Sequence, residues 1–247
     1  MNKKLYTKNE LLFAILWIIA YIVGFSLADQ LSSVIGIEKI ITAPLGVGMS
    51  VFLFVWIKKN GLAEEYGLKK AEFNPKQYLF FIPLIAIISV NFWTGVELRY
   101  SIIEMLLFVV SMLCVGFLEE IIFRGFLFKA LSRENITSAI IVSSVTFGVG
   151  HIINLLGGAA FLSTLLQVFY AIAIGFLFTI IFHKSGSLWP CVIAHSLTNA
   201  LSVFSRAPSL SMEIITAILL TVLPLVYTFW IIHTENKEKQ EEGKTCV

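Results

Sequence analysis

The sequence predicts an all-α, polytopic membrane bundle of about eight transmembrane helices, with both termini in the cytoplasm. Three observations predict this fold class: the composition, a series of long apolar stretches, and the placement of basic residues. Of 247 residues, 57% are hydrophobic and only 14% are charged, whereas an average soluble domain has roughly 25% charged residues. Too few polar side chains are present to cover a water-soluble globule of this size.

Eight stretches approach the roughly 20 apolar residues that cross a bilayer as a helix. In chain order they cover residues 11–28, 40–57, 78–93, 102–130, 137–156, 161–182, 188–204 and 213–232. The first ends at Asp29 and Gln30 and lacks a small-residue cleavage pattern, which favours a membrane span over a signal peptide. We therefore expect one integral-membrane domain over 1–247, with a disordered charged tail at 233–247.

The basic residues predict the orientation, because Lys and Arg near span ends favour the cytoplasmic side. With the N-terminus inside, fourteen of the 18 Lys and Arg residues fall in inner segments. The outer segments hold Lys39, Arg99 and Arg206, and Arg124 lies within a span. An even number of spans explains this asymmetry, which suits the plasma membrane of a bacterium.

Charge and cysteine content exclude other classes of protein. The formal net charge is only +2, so no nucleic-acid partner is expected. The three cysteines, Cys114, Cys191 and Cys246, form neither a disulfide framework nor a metal-binding pattern.

Three charged residues, Glu119, Glu120 and Arg124, interrupt the fourth span. Each charge near the centre of a span costs about 3 kcal/mol, so they must face the bundle interior or one another. Glu120 and Arg124 have the i, i+4 spacing that places two side chains on one helix face, which predicts an ion pair. Glu119 has no obvious local partner, so its carboxyl group is either protonated and inert or matched to a group on another helix.

Candidate partners for Glu119 lie in the fifth and seventh spans. The fifth carries Phe147 and His151, with Gly148 and Gly150 permitting a close helix approach. The seventh carries His195 and Asn199, again at i, i+4. Outside these spans, Asn91 and Gln167 are expected to make helix-to-helix hydrogen bonds.

Taken together, Glu119-Glu120-x-x-x-Arg124, Phe147-x-x-x-His151 and His195-x-x-x-Asn199 resemble the three motifs of the CAAX-protease and bacteriocin-processing (CPBP) family. That family comprises eight-helix intramembrane glutamic endopeptidases, including the type II CAAX prenyl proteases. The resemblance covers a protease-like core at about 104–204, with no departure at the polar positions. It implies cleavage of a peptide or membrane-protein substrate within the lipid bilayer, without a cofactor.

The resemblance also implies a role for each motif residue. Glu119 would activate a water that His151 holds, while His195 and Asn199 would supply the oxyanion donors. Glu120, Arg124 and Phe147 would support them, with contact to the substrate as an alternative role for Arg124.

Four alternatives remain at the level of sequence. Glu119, His151 and His195 could bind Zn²⁺, and Cys191, four residues before His195, could form a Cys/His dyad. Intramembrane carboxylates also occur in proton-coupled transporters, although no internal repeat is visible. Finally, a non-catalytic scaffold or immunity protein could retain the same fold.

Overall fold

The computed structural model describes residues 3–69 and 81–245, with side chains as far as residue 234. Its α-helices are α1 (Lys3–Lys8), α2 (Glu10–Ile35), α3 (Thr42–Lys59), α4 (Ile82–Ser89), α5 (Ile102–Glu120), α6 (Lys129–Ser132), α7 (Ile136–Gly150), α8 (Phe161–Ser185), α9 (Trp189–Leu201) and α10 (Leu210–Thr245). A π-helix, Ile121–Phe128, joins α5 to α6, and 3₁₀ turns at Val90–Phe92, His151–Leu155 and Ser202–Phe204 follow α4, α7 and α9.

The predicted all-α membrane fold is confirmed. Within the described residues, five helical segments are long and apolar enough to cross a bilayer: Glu10–Ile35, Ile102–Ser132, Ile136–Leu155, Phe161–Ser185 and Leu210–Thr234. The predicted spans 40–57 and 188–204 correspond to the 18-residue α3 and the 13-residue α9. The span 78–93 begins outside the described residues. The count of eight and the cytoplasmic termini stay predictions.

The start of α5 fixes the position of the two glutamates along the bundle. Ser101 accepts a hydrogen bond from the Glu104 backbone, and Glu104 accepts one from the Ser101 backbone, which forms a capping box. At the other end, α5 passes directly into the π-helix after Glu120. The sequence predicts one regular helix here, whereas single π-helical turns are rare and are often found at functional sites.

Two close helix contacts bring the motif-bearing helices together. Gly116 in α5 lies against Ser196 in α9, where an added Cβ would stand 2.5 Å from the Ser196 nitrogen. Gly148 in α7 lies against Ile172 in α8, which confirms the predicted close approach at that glycine. Gly150 differs, because an added Cβ there would meet no atom within 4 Å.

The backbone of the final helix is helical as far as Thr245. The sequence after Ile232 is rich in Glu and Lys, which are good helix formers. Disorder of the tail at 233–247 stays a prediction. Before α10, an isolated antiparallel bridge between Val96 and Ser205 joins the connections that precede α5 and α10.

Candidate active site

A cavity of about 510 Å³ lies inside the bundle and contains the predicted site. Its volume is within the range of roughly 300–1,000 Å³ that is typical of ligand sites. Residues from α2, α4, α5, α8, α9 and α10 line it, together with the end of α7. The cavity extends along α2, because Tyr21 and Asp29 both line it. They are eight positions apart, and a rise of 1.5 Å per residue places them about 12 Å apart along the helix axis.

Glu120 and Arg124 form the predicted ion pair, beneath the cavity wall. Arg124 Nη1 lies 3.2 Å from Glu120 Oε1, and both side chains are fully buried. The guanidinium of Arg124 stacks over the Phe147 ring, 4.1 Å from its centroid. Nε and Nη2 of Arg124 and Oε2 of Glu120 find no hydrogen-bond partner among the described residues. The aromatic face of Phe147 therefore carries part of the stabilisation of this buried charge.

His195 lies between the two glutamates. Its Nδ1 is 2.8 Å from Glu120 Oε1, and its Nε2 is 3.3 Å from Glu119 Oε2. Because a carboxylate paired with Arg124 can only accept, Nδ1 carries a hydrogen that it donates to Glu120. The hydrogen bond from Nδ1 to Glu120 thus sets the orientation of the His195 ring, and Nε2 faces Glu119. A carboxylate that orients a histidine in this way is a recurrent feature of hydrolytic sites.

Glu119 differs from Glu120 in its surroundings, as the helix geometry predicts. Its side chain is 13% exposed and lines the cavity, whereas Glu120 does not reach it. Besides His195, its partner is Tyr21 of α2, whose hydroxyl donates to Glu119 Oε1 at 2.7 Å. Tyr21 belongs to no motif in the sequence and was not predicted as a site residue. Its position one turn before Phe25 and one turn after Trp17, all three buried, is the signal for an inward face of α2.

Phe147 and His151 form the third part of the site, at the end of α7. Nδ1 of His151 lies 3.1 Å from the Phe147 carbonyl oxygen. Since a carbonyl only accepts, Nδ1 carries the hydrogen in this contact, and in the tautomer with hydrogen on Nδ1 alone Nε2 is an acceptor. His151 lines the cavity, and the Phe147 ring meets the His195 ring edge-on at 5.6 Å. Phe147 thus contacts Arg124, His151 and His195.

Other polar residues occupy the rest of the wall. Asn199 lines the cavity one turn beyond His195. The predicted helix-to-helix hydrogen bonds are confirmed: Asn91 Nδ2 donates to the Thr198 carbonyl at 2.6 Å, and Gln167 Oε1 accepts from Asn154 at 2.9 Å. At the far end of the cavity, Lys39 forms an ion pair with Asp29 at 2.9 Å.

The cluster contains two carboxylates, those of Glu119 and Glu120, and the guanidinium of Arg124. The His195 ring contacts both carboxylates. The site thus places a histidine between one carboxylate that is paired with an arginine and one that lines the cavity.

The structure also bears on the Cys/His and zinc alternatives. Cys191 is fully buried, and its thiol donates to the Phe178 carbonyl at 3.4 Å. Over the residues that the structure describes, no three His, Cys, Asp or Glu side chains are grouped to hold a metal ion. The absence of a cofactor stays a prediction.

Fold and site together define an integral membrane protein with a buried glutamate–histidine centre inside a helical bundle. Residues 101–201 match the family described as type II CAAX prenyl endopeptidase Rce1-like. The predicted resemblance to the CAAX-protease family is thereby confirmed for this segment, which overlaps the predicted core 104–204 and carries the three motifs. Tyr21 lies outside it.

A curated relative agrees with this match. The Bacillus subtilis (strain 168) protein named "Putative membrane peptidase YdiL" is 31% identical over 102 residues, which are 41% of this chain. The matched region spans only 37% of that relative's length. Its source agrees with the expected bacterial origin. No solved structure matches the chain significantly.

Proposed function

We propose that this protein is a metal-independent intramembrane glutamic endopeptidase that cleaves peptide bonds of a peptide or membrane-protein substrate. The observation that supports this most directly is the pair of adjacent glutamates with opposite environments. Glu120 is fully buried against Arg124 and His195, while Glu119 lines the cavity. Titratable neighbours in contrasting surroundings are typical of a site where one group exchanges a proton and the other orients it.

Glu119 acts as general base in this proposal. A water in the cavity donates one hydrogen to the Glu119 carboxylate and the other to Nε2 of His151, so that its oxygen attacks the carbonyl carbon of the substrate. Both acceptors line the cavity. A positioned base contributes about 10²- to 10⁴-fold to such a step.

His195 and Asn199 stabilise the negative charge that develops on the carbonyl oxygen. They share one face of α9, and both line the cavity. Donation from His195 requires a hydrogen on Nε2 in addition to the one on Nδ1, which lies 2.8 Å from the Glu120 carboxylate. Loss of one oxyanion donor typically costs about 10²- to 10³-fold in kcat.

Collapse of the tetrahedral intermediate returns the proton. Glu119 gives the hydrogen it took from water to the leaving nitrogen, the carbon–nitrogen bond breaks, and a carboxylic acid and an amine are released. The cluster ends with the protons it began with.

The substrate is expected to be a short secreted peptide, a leader peptide or a membrane protein, since the cavity is lined by apolar side chains such as Ile22, Phe25 and Met112.

Comparative peptidomics tests this function in cells. Membranes and medium are compared between cells that carry the wild type and cells that carry Glu119→Ala, with Glu38→Ala as a control because Glu38 does not line the cavity. We expect peptides with new termini that are present with the wild type and the control and absent with Glu119→Ala. Identical peptide sets from all three strains would refute proteolysis and favour a scaffold.

A further inference from the structure

The hydroxyl of Tyr21 makes an interaction that the three motifs do not account for. It lies 2.7 Å from Glu119 Oε1, and the tyrosine is only 8% exposed. Tyr21 is 98 positions away from Glu119 in sequence, on the first long helix. Its ring packs on Phe25 at 4.7 Å, so its position is fixed by the apolar face of α2 and not by the hydrogen bond alone.

Tyr21 completes a two-sided support of the Glu119 carboxylate. Oε1 accepts from Tyr21, and Oε2 faces Nε2 of His195 at 3.3 Å. A carboxylate held through only one oxygen can rotate about its terminal bond, since that torsion is soft. Partners on both oxygens fix the carboxylate plane, and with it the direction of the lone pairs that accept a proton.

A buried phenol hydroxyl costs free energy unless it forms a hydrogen bond. A phenylalanine would fill the same space against Phe25 without bringing a hydroxyl that must find an acceptor. The hydroxyl of Tyr21 donates to the Glu119 carboxylate. Both side chains line the cavity. Hydrogen bonds from neutral donors to a charged acceptor are stronger than neutral pairs and more restrictive in geometry.

We propose that Tyr21 is a positioning residue of the active site, which orients the Glu119 carboxylate toward the attacking water. This inference rests on the proposed function. It extends the catalytic apparatus beyond the matched segment 101–201 to α2. The first long helix is thus part of the reaction machinery as well as of the membrane bundle.

The test compares Tyr21→Phe with Tyr66→Phe. Tyr66 is a matched control, because it is also buried, it packs edge-on against another tyrosine, Tyr6, and it does not line the cavity. Both variants lose one buried hydroxyl group. The purified proteins, in liposomes, are assayed with a pool of internally quenched decapeptides and then with the peptide from that pool that the wild type cuts fastest.

For Tyr21→Phe we expect kcat to fall about 10- to 100-fold, the factor associated with a hydrogen bond to a charged group. KM should change by less than about threefold, because the lost interaction orients the base and does not bind substrate. Tyr66→Phe should keep the wild-type kcat. Both variants should show similar, small losses of thermal stability.

The outcomes separate the inference from the function on which it rests. Full activity in Tyr21→Phe, with Glu119→Gln inactive, overturns the role of Tyr21 and leaves the peptidase intact. Equal losses in Tyr21→Phe and Tyr66→Phe, in proportion to the folded fraction, also overturn it, since they indicate a purely structural effect. A wild-type rate in Glu119→Gln contradicts the proposed function itself.

Discussion

Replacement of Arg124 by alanine tests the buried half of the site. Arg124 and Glu120 are both fully inaccessible, and they lie 3.2 Å apart. Removing one member of a buried ion pair leaves an uncompensated charge and typically costs 3–5 kcal/mol, so we expect a loss of about that size. At roughly 2–4 °C per kcal/mol for a chain of this length, the melting temperature should fall by about 6–20 °C.

The assay is thermal unfolding in detergent, followed by tryptophan fluorescence. Arg133→Ala provides the control, because Arg133 pairs with Glu10 and Glu65 at 2.8 Å but is 56% exposed. Exposed pairs contribute about 0–1 kcal/mol, so this variant should melt close to the wild type. The double variant Glu120→Gln with Arg124→Met should regain part of the loss, because it removes both charges together.

One result would refute this reasoning. If Arg124→Ala melts like the wild type yet fails to cleave peptides, the guanidinium does not compensate Glu120 in the fold. Arg124 would then be a residue that contacts substrate. Its stacking on Phe147 at 4.1 Å argues against that role, because the ring covers one face of the guanidinium.

Three further outcomes are expected. Gly116→Ala should lower both stability and cleavage, because the added methyl group displaces Ser196 and the α9 face that carries His195. Gly48→Ala is the control and should be tolerated, since no atom lies within 4 Å of an added Cβ there. Unfolding and cleavage assays compare the two variants, and equal behaviour would contradict the α5–α9 packing. Cys191→Ala should keep its cleavage rate, because the thiol faces the Phe178 carbonyl; an inactive but folded variant would revive the Cys/His dyad. Exhaustive treatment with a zinc chelator should leave cleavage unchanged, and activity that is lost and then restored by zinc would contradict the metal-independent mechanism.

Local chemistry in the sequence predicted much of this site. The i, i+4 spacing of Glu120 and Arg124 predicted their ion pair. The pair forms although Arg124 lies in the π-helix and not in a regular α-helix. The same spacing places His195 and Asn199 on one face of α9. The cost of an intramembrane charge left two interpretations of Glu119, a protonated inert carboxyl group or a partner on another helix, and the contacts with Tyr21 and His195 support the second.

What the sequence did not predict depends on tertiary packing. The contact of His195 with both glutamates requires α5 and α9 to approach at Gly116, which the spacing of motifs does not specify. Tyr21 carries no motif, since a tyrosine in an apolar helix reads like any other aromatic residue.

The measurement that tests the central proposal most directly is cleavage of the decapeptide pool by purified wild type and Glu119→Gln in liposomes. Glutamine keeps the shape of the side chain but cannot take a proton from water. The proposal predicts that the wild type cleaves, that Glu119→Gln loses at least about 10²-fold in kcat, and that both proteins melt alike. Equal cleavage rates for the two proteins would contradict Glu119 as the base.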